Sequence, residues 1–299
     1  MKSPFQYADR KHILVTGASG QLGCELRERA QDYPELELYF APRAEFDICV
    51  ESRVQDFMSR YRPAAVINCA AYTNVEKAED EVDSAHLANE KSLRWLAQSC
   101  HENGSLLIHF STDYVFDGMQ RQPYTESDAP APLSVYGRSK WLGERVIDEV
   151  LDRYFIFRVS WLYSNYGHNF FKTMIRLAHE RDELRVVNDQ VASPTYAGWL
   201  ARDVMNLVRR ILIDQQHVEY GLYHYSEDGE ASWYDFTCAI MKECGIEIPV
   251  LPVSTADFPT RAKRPAYSKL DNGKLKRQLG IEPGTWQEAL REAVSRMKS

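Results

Sequence analysis

The sequence contains no apolar run long enough to cross a membrane, no Cys-x-x-Cys pair and no surplus of positive charge. Each absence removes a class of function. A transmembrane helix needs about 20 consecutive apolar residues. Acidic residues outnumber basic ones by 43 to 36, for a formal net charge of −7. That balance disfavours a nucleic-acid face or a basic membrane-binding surface. The first eleven residues include Lys2, Pro4, Asp9, Arg10 and Lys11 and lack the apolar core of a secretory signal. The six cysteines (Cys24, Cys49, Cys69, Cys100, Cys238 and Cys244) are scattered, several within apolar patterns. Reduced, buried thiols are expected, not a disulfide framework. No His/Cys cluster has metal-ligand spacing. These readings point to a soluble cytoplasmic protein with no nucleic-acid or membrane partner.

What is present suits a substantial core. With 299 residues, 44% of them hydrophobic, the chain allows one large α/β domain or a principal domain with a smaller appendage. His12-Ile13-Leu14-Val15-Thr16 is a short β-rich run that meets Gly17-Ala18-Ser19-Gly20-Gln21-Leu22-Gly23, after which Leu22, Leu26 and Ala30 continue at helical spacing. Strand, glycine turn and helix form the setting of a dinucleotide fingerprint. Gly17 permits the tight turn, Gly20 lets backbone approach a pyrophosphate, and Gly23 lets helix pack on strand. The phosphates then face the helix amino end. Leu36 to Phe40 reads as the second strand. A free ribose 2′-OH usually meets an acid at its end, but here Arg43 follows, suited to a 2′-phosphate, with Glu45 keeping the alternative open. Phe46-Asp47-Ile48 reads as a very short third strand, and Val50 to Tyr61 as a helix.

Pro63 to Asn68 is the next buried strand, followed by Cys69-Ala70-Ala71-Tyr72, small residues where backbone can lie against a cofactor. Asp80 to Cys100 reads as one long helix with Asn89 in its middle. Asn is a poor helix former, and beside apolar neighbours its amide needs partners. It reads either as surface filler or as the holder of a water in a proton relay. Leu106 to Phe110 is a strand that delivers Thr112 at its carboxyl end. Val135 to Ile147 reads as a helix, placing Tyr136 and Lys140 one turn apart on one face. A cation beside a phenol favours phenolate and makes a workable proton donor. Tyr154 to Ser160 is another strand, so the alternation predicts a Rossmann-type, doubly wound parallel sheet with its site outside the strands' carboxyl ends. Further on come helices from Asn169 to Glu180, Tyr196 to Ile213 and Trp233 to Cys244, and strands at Leu184 to Val187 and Gly221 to Tyr225. A loop from Pro249 to Pro265 precedes helices near Asp271 to Leu279 and Thr285 to Met297. Residues 1–165 are expected to form the cofactor domain, with segments near 184–225 returning to it, and 166–299 mostly a small, interleaved substrate lobe.

The glycine turn, Ser111-Thr112-Asp113-Tyr114-Val115-Phe116-Asp117-Gly118, Tyr136 to Lys140, Ser160-Trp161, Asn169-Phe170, Asn188-Asp189-Gln190 with Pro194-Thr195, and Pro259-Thr260 with Arg264-Pro265 and Ser268 carry a resemblance almost end to end. The chain resembles the extended short-chain dehydrogenase/reductases and, within them, the dTDP-4-dehydrorhamnose reductase family. The resemblance implies hydride delivery from NADPH, with NADH as the second choice, to the C4 ketone of a dTDP-6-deoxy-hexulose. It implies Tyr136 as proton donor, Lys140 on the nicotinamide ribose and Thr112 on the substrate oxygen. Asp113, Tyr114, Trp161 and Asn169 would line the sugar pocket, and Arg264 would take the substrate pyrophosphate or else form a structural ion pair. Cofactor contacts are expected at Gly17, Ser19, Gly20, Gln21, Leu22, Arg43, Asp47, Ile48, Ala70, Ala71, Tyr72, Asn89, Tyr136 and Lys140. Related dehydratases carry Glu after the Thr-Asp pair. Tyr114 stands there here, which favours reduction over elimination. Some members bind a metal through glutamates near a dimer contact. Glu25 matches one, but Gly198 stands at the other, so no metal is expected and a homodimer stays open. Another nucleotide-hexulose 4-reductase or epimerase, or a non-catalytic cofactor-binding regulatory subunit, is the alternative.

Overall fold

The computed structural model describes Phe5 and residues 10–298; the rest of the leading stretch lies outside the described residues. The first half alternates strand and helix: β1 (Lys11–Thr16), α1 (Gln21–Arg29), β2 (Leu36–Phe40), α2 (Glu51–Tyr61), β3 (Ala65–Asn68), α3 (Val75–Ala78), α4 (Val82–His86), α5 (Ser92–Asn103), β4 (Leu106–Thr112), α6 (Val135–Val150) and β5 (Tyr154–Val159). The second half has shorter strands: β6 (Leu162–Tyr163), α7 (Phe170–Glu180), β7 (Leu184–Val187), β8 (Val191–Ala192), β9 (Thr195–Tyr196), α8 (Ala197–Leu212), β10 (Gly221–Tyr225), β11 (Ala231–Ser232), α9 (Trp233–Cys244), β12 (Val250–Val253) and α10 (Trp286–Lys298).

Six strands form one parallel sheet in the order β10-β5-β4-β3-β1-β2. Its strands are apolar on both faces because both faces are covered. Ile13, Val15, Ala65, Ile67, Leu106, Ile108, Phe155 and Phe157 enter one core, with α1 and α8. The alternate residues Leu14, Val66, Leu107 and Ile156 enter the other, with α2, α5 and α6. Period-two alternation thus feeds two hydrophobic layers, as a parallel sheet requires. The chain leaves β1 toward β2 on one side and returns to β3 on the other. This reversal opens a crevice at the carboxyl ends of β1 and β3.

Of residues 184–225, α8 and β10 return to this sheet, whereas β7 pairs with β12 outside it. The pairs β8–β11 and β6–β9 lie outside it too. A third core, with Tyr163, Phe171, Phe236, Ile240, Trp286 and Leu290, holds this second region together.

Three expectations need correction. Phe46-Asp47-Ile48 is a turn, not a strand, because the Asp47 carboxylate accepts the Cys49 N–H at 2.9 Å and its carbonyl accepts the Val50 N–H at 3.0 Å. The long helix expected from Asp80 starts at Val82 and is continuous to Asn103, but it is not regular: α4 runs into a π-helical turn, Leu87–Lys91, before α5. The segment 249–265 contains β12, whose Pro252 sits in a two-stranded pairing where a missing N–H is tolerated. The helix expected near Asp271 to Leu279 is present as a short one that widens into a π turn, Leu275–Leu279. Of the six cysteines, all free, Cys100 is buried and the other five are half-buried.

Candidate active site

The glycine turn stands at the crevice. Gly17 has φ +62°, and a Cβ there would lie 2.5 Å from the Ala70 nitrogen and the Cys69 carbonyl carbon. Only glycine allows the turn to press against the end of β3. Gly20 is the N-cap of α1 and supplies no side-chain cap, so first-turn N–H groups of the helix are left for an outside acceptor. Ser19 and Gly20 are exposed, and Leu22 is buried in the first core. This cradle fits a dinucleotide pyrophosphate. Past β2, Arg43 donates to Asp47 at 3.0 Å while its side chain remains 82% exposed. Its guanidinium is free to meet a phosphate arriving from solvent. Ile48 is buried in the second core.

Asn89 is fully buried and is not surface filler. Its carbonyl accepts the Tyr72 N–H at 2.8 Å, and its amide donates to the Tyr72 carbonyl and the Ser139 hydroxyl, both at 3.0 Å. It therefore clamps the loop carrying Ala70, Ala71 and Tyr72 to α6. The π turn brings it there, and a Cβ on Gly143 of α6 would collide with the Asn89 carbonyl and with Leu93. Such π turns concentrate at functional sites.

Thr112 ends β4, and Tyr136 lies in the first turn of α6, which Ser134 caps by accepting the Gly137 N–H. The Thr112 hydroxyl donates to Asp113 at 3.2 Å and lies near enough to the Tyr136 hydroxyl to favour its phenolate, but burial dominates and pushes Tyr136 up to about 12. Lys140 is buried and donates to the Phe110 carbonyl at 2.6 Å, with its Nζ 3.1 Å from His109 Nε2. Burial, partly offset by Glu144, lowers Lys140 to about 8. The expected lysine-lowered tyrosine is therefore corrected for the chain by itself. The ammonium is turned to β4, and the influence that lowers Tyr136 comes from Thr112.

On the facing side, Asp113 is buried, accepts the Ser268 hydroxyl at 2.5 Å, and is raised to about 7 by that burial. Tyr114 sits edge-on to Tyr136, ring centroids 5.8 Å apart. Arg264 pairs with Glu76 at 2.8 Å and also reaches Tyr114. Its Nε is buried without a partner. The ion pair is present, and one guanidinium N–H is still unspent. Trp161 has φ +47°, rare for a bulky residue, and stacks on Trp233 at 3.4 Å. Asn169 caps α7 by accepting the Lys172 N–H, and its amide donates to Gln21 at 2.9 Å and to the Ser164 and Tyr166 carbonyls. It ties the second region to the first turn of α1.

Sequence reasoning missed Glu76 and the role of Ser268, which gain meaning only from partners about 190 and 155 positions away. It also passed over His109, although a histidine within Leu106 to Phe110 was a visible break in an apolar run. Away from the cleft, buried Glu25 accepts the Ser164 hydroxyl at 2.6 Å and pairs with Arg296 at 3.0 Å. Gly198 is packed on the Tyr196 ring. Among the described residues no group of three or more His, Cys, Asp or Glu side chains is placed to hold a metal. No described helix is long and apolar enough to cross a membrane.

A family profile described as the RmlD substrate binding domain matches residues 11–299. The chain is 41% identical over 285 residues to a dTDP-4-dehydrorhamnose reductase of Aggregatibacter actinomycetemcomitans, covering 93% of this chain and 97% of the relative. It is 36% identical over 294 residues to the Escherichia coli K12 protein of the same name, covering 96% and 98%. Among solved structures, a Bacillus anthracis dTDP-4-dehydrorhamnose reductase in complex with NADP superposes with TM-score 0.90 at 39% identity, covering 96% of this chain and 99% of that one. Identity at this level over nearly whole chains, together with the glycine turn and the Thr112–Tyr136–Lys140 geometry, places the chain in the dTDP-4-dehydrorhamnose reductase family.

Proposed function

We propose that this chain reduces the C4 ketone of dTDP-4-dehydro-L-rhamnose to dTDP-L-rhamnose with NADPH. The observation that carries the reading is the placement of Thr112, at the carboxyl end of β4, beside Tyr136 and Lys140 of α6, in a chain of this family. NADP in the Bacillus anthracis relative supports the choice of cofactor. A bound reduced nicotinamide supplies the hydride. The rest falls to the chain's own side chains.

The glycine turn from Gly17 to Leu22 holds the pyrophosphate, Arg43 the 2′-phosphate, and Ala70 to Tyr72 the cofactor's flank. Lys140 takes the ribose hydroxyls. Thr112 orients the ketone oxygen by a hydrogen bond, and Tyr136 gives it a proton as charge develops there. Tyr114 offers no carboxylate to take a proton from the sugar, so reduction is not diverted into elimination. Trp161 and Asp113 shape the sugar pocket, with Asn169 holding its wall. Arg264 exchanges part of its pairing with Glu76 for the substrate diphosphate, a match of planar fork to phosphate oxygens. The sheet with α1, α2, α5, α6 and α8 is the cofactor domain, and the third core carries the substrate lobe. A cytoplasmic location fits this reading, and no nucleic-acid, membrane or metal partner enters it.

The test is an assay with dTDP-4-dehydro-L-rhamnose and each reduced nicotinamide, with identification of the product sugar. Cofactor consumption with formation of dTDP-L-rhamnose is expected. Cofactor binding without turnover over a panel of dTDP- and UDP-ketosugars would favour a non-catalytic subunit instead.

A further inference from the structure

A polar stripe crosses the buried sheet where apolar residues are the rule. Thr16, Asn68 and His109 are directly in register on neighbouring strands, Thr16 opposite Asn68 and Asn68 opposite His109. All three are at most 1% exposed. They lie on the face that α6 covers, and there the stripe ends on Lys140. Its links are Thr16 Oγ1 to Asn68 Oδ1 at 2.5 Å, Asn68 Nδ2 to His109 Nδ1 at 3.0 Å, and His109 Nε2 to Lys140 Nζ at 3.1 Å.

The proton positions along the stripe follow from distance and supply. Thr16 Oγ1 already accepts the Ala70 N–H at 3.3 Å, so its own proton is available to a neighbour. The 2.5 Å link suits O–H···O and is short for N–H···O. The carbonyl of Asn68 therefore faces Thr16, and its NH₂ faces His109. His109 Nδ1 must then accept, and a neutral imidazole with Nδ1 as acceptor carries its proton on Nε2. That proton points at Lys140.

We propose that His109 is a positioning residue for Lys140: held by Asn68 and Thr16 with its proton on Nε2, it can donate only to the uncharged lysine amine, since an ammonium has no lone pair to accept, and so it weakens that amine's hold on its own charge. The proposal rests on the reductase reading for the role of Lys140. The stripe also ties that amine, through Thr16, to the end of the strand that opens the glycine turn. Burial, then the Lys140 charge, keeps His109 well below its ordinary value, so the ring stays neutral. The groups that bear on Lys140 are His109 from β4 and Glu144 one turn along α6, the latter engaged by Arg158 of β5.

A second buried ring supplies the control. His224 directs Nδ1 at the Tyr124 carbonyl, 3.0 Å away, and Nε2 at Arg158, 3.4 Å away. A carbonyl only accepts, so His224 carries its proton on Nδ1. Nitrogen-15 NMR of the histidine-labelled full chain should show two rings that do not titrate between pH 6 and 10, with opposite tautomers. His109→Gln removes one and His224→Gln the other, so either variant assigns both. His109 found as the Nδ1–H form, or charging near pH 6.5, overturns the proposal whatever the enzyme assay says.

The kinetic arm uses the same variant and Asn68→Asp, whose carboxylate would turn the His109 proton away from Lys140. Both should move the alkaline limb of the kcat/KM profile upward by about one pH unit, a tenfold change in proton affinity. NADPH Kd at pH 7 should stay within about threefold. A limb unmoved in both folded variants means that His109 only fills space.

Discussion

Helix α6 carries Lys140 and, one turn on, the Glu144 that holds Arg158 of β5, and these two buried cations are handled in opposite ways. Arg158 meets Glu144 through two hydrogen bonds of 2.9 and 2.7 Å, and its guanidinium lies over the Phe116 ring. Lys140 is equally buried, yet among the described residues no carboxylate forms an ion pair with it. Each has a neutral histidine beside it, but His224 offers Arg158 an acceptor nitrogen, whereas His109 offers Lys140 a donor. The first centre is compensated and serves the fold. The second is left uncompensated, its charge poised close to neutral pH, as a group that must exchange interactions with cofactor requires.

The largest expected effect is on the compensated centre. Glu144→Gln leaves Arg158 buried beside a neutral amide and should cost roughly 3–5 kcal/mol by chemical denaturation. Lys140→Met, which removes a poorly compensated charge, should leave stability unchanged or higher while weakening cofactor binding. Equal losses in the two variants would erase the distinction between the centres.

Next in size is catalysis itself. Tyr136→Phe keeps the ring and its edge contact with Tyr114 but removes the donor, so kcat should fall on the order of 10²-fold or more. Fold and NADPH affinity should be retained. Near-normal turnover by the folded variant would remove Tyr136 from the mechanism.

The pH profile of the wild-type protein tests the poise of Lys140. Its charge is present below about 8 and is lost above it. With the charged form required, kcat/KM should therefore fall about tenfold per pH unit once pH passes that value. Tyr136, pushed to about 12, titrates too high to produce this limb. A profile flat to pH 10 would show that the charge of Lys140 is dispensable.

Smaller effects belong to the periphery. Arg43→Ala should raise KM for NADPH several-fold, about 1 kcal/mol for one exposed charge contact, and leave KM for NADH nearly unchanged. Equal effects on both would mean that Arg43 does not read the 2′-phosphate. Chelation with EDTA should change neither rate nor stability, since Glu25 is taken by Arg296 and Gly198 offers no ligand. A reversible loss would contradict that.

Sequence alone determined the elements whose cause is local. Period-two and period-3.6 patterns identified the strands and most helices of the large sheet, because a residue's neighbours two or four positions away decide which side it buries. The same locality made the glycine turn legible, since Gly17 must take a positive φ, and put Tyr136 and Lys140 on one helical face. Long-range partners decided the rest. Asp47 spent its carboxylate on Cys49 and made a turn of what patterning reads as a strand. Asn89 fell in a π turn because Gly143 admits its carbonyl and because Tyr72 and Ser139 claim its amide. Arg264 became an ion pair only where the fold brought Glu76 to it. Above all, the charge on Lys140 is set by burial and by a histidine from another strand. Desolvation and hydrogen-bond direction are properties of surroundings, and a sequence does not show its surroundings until it is folded.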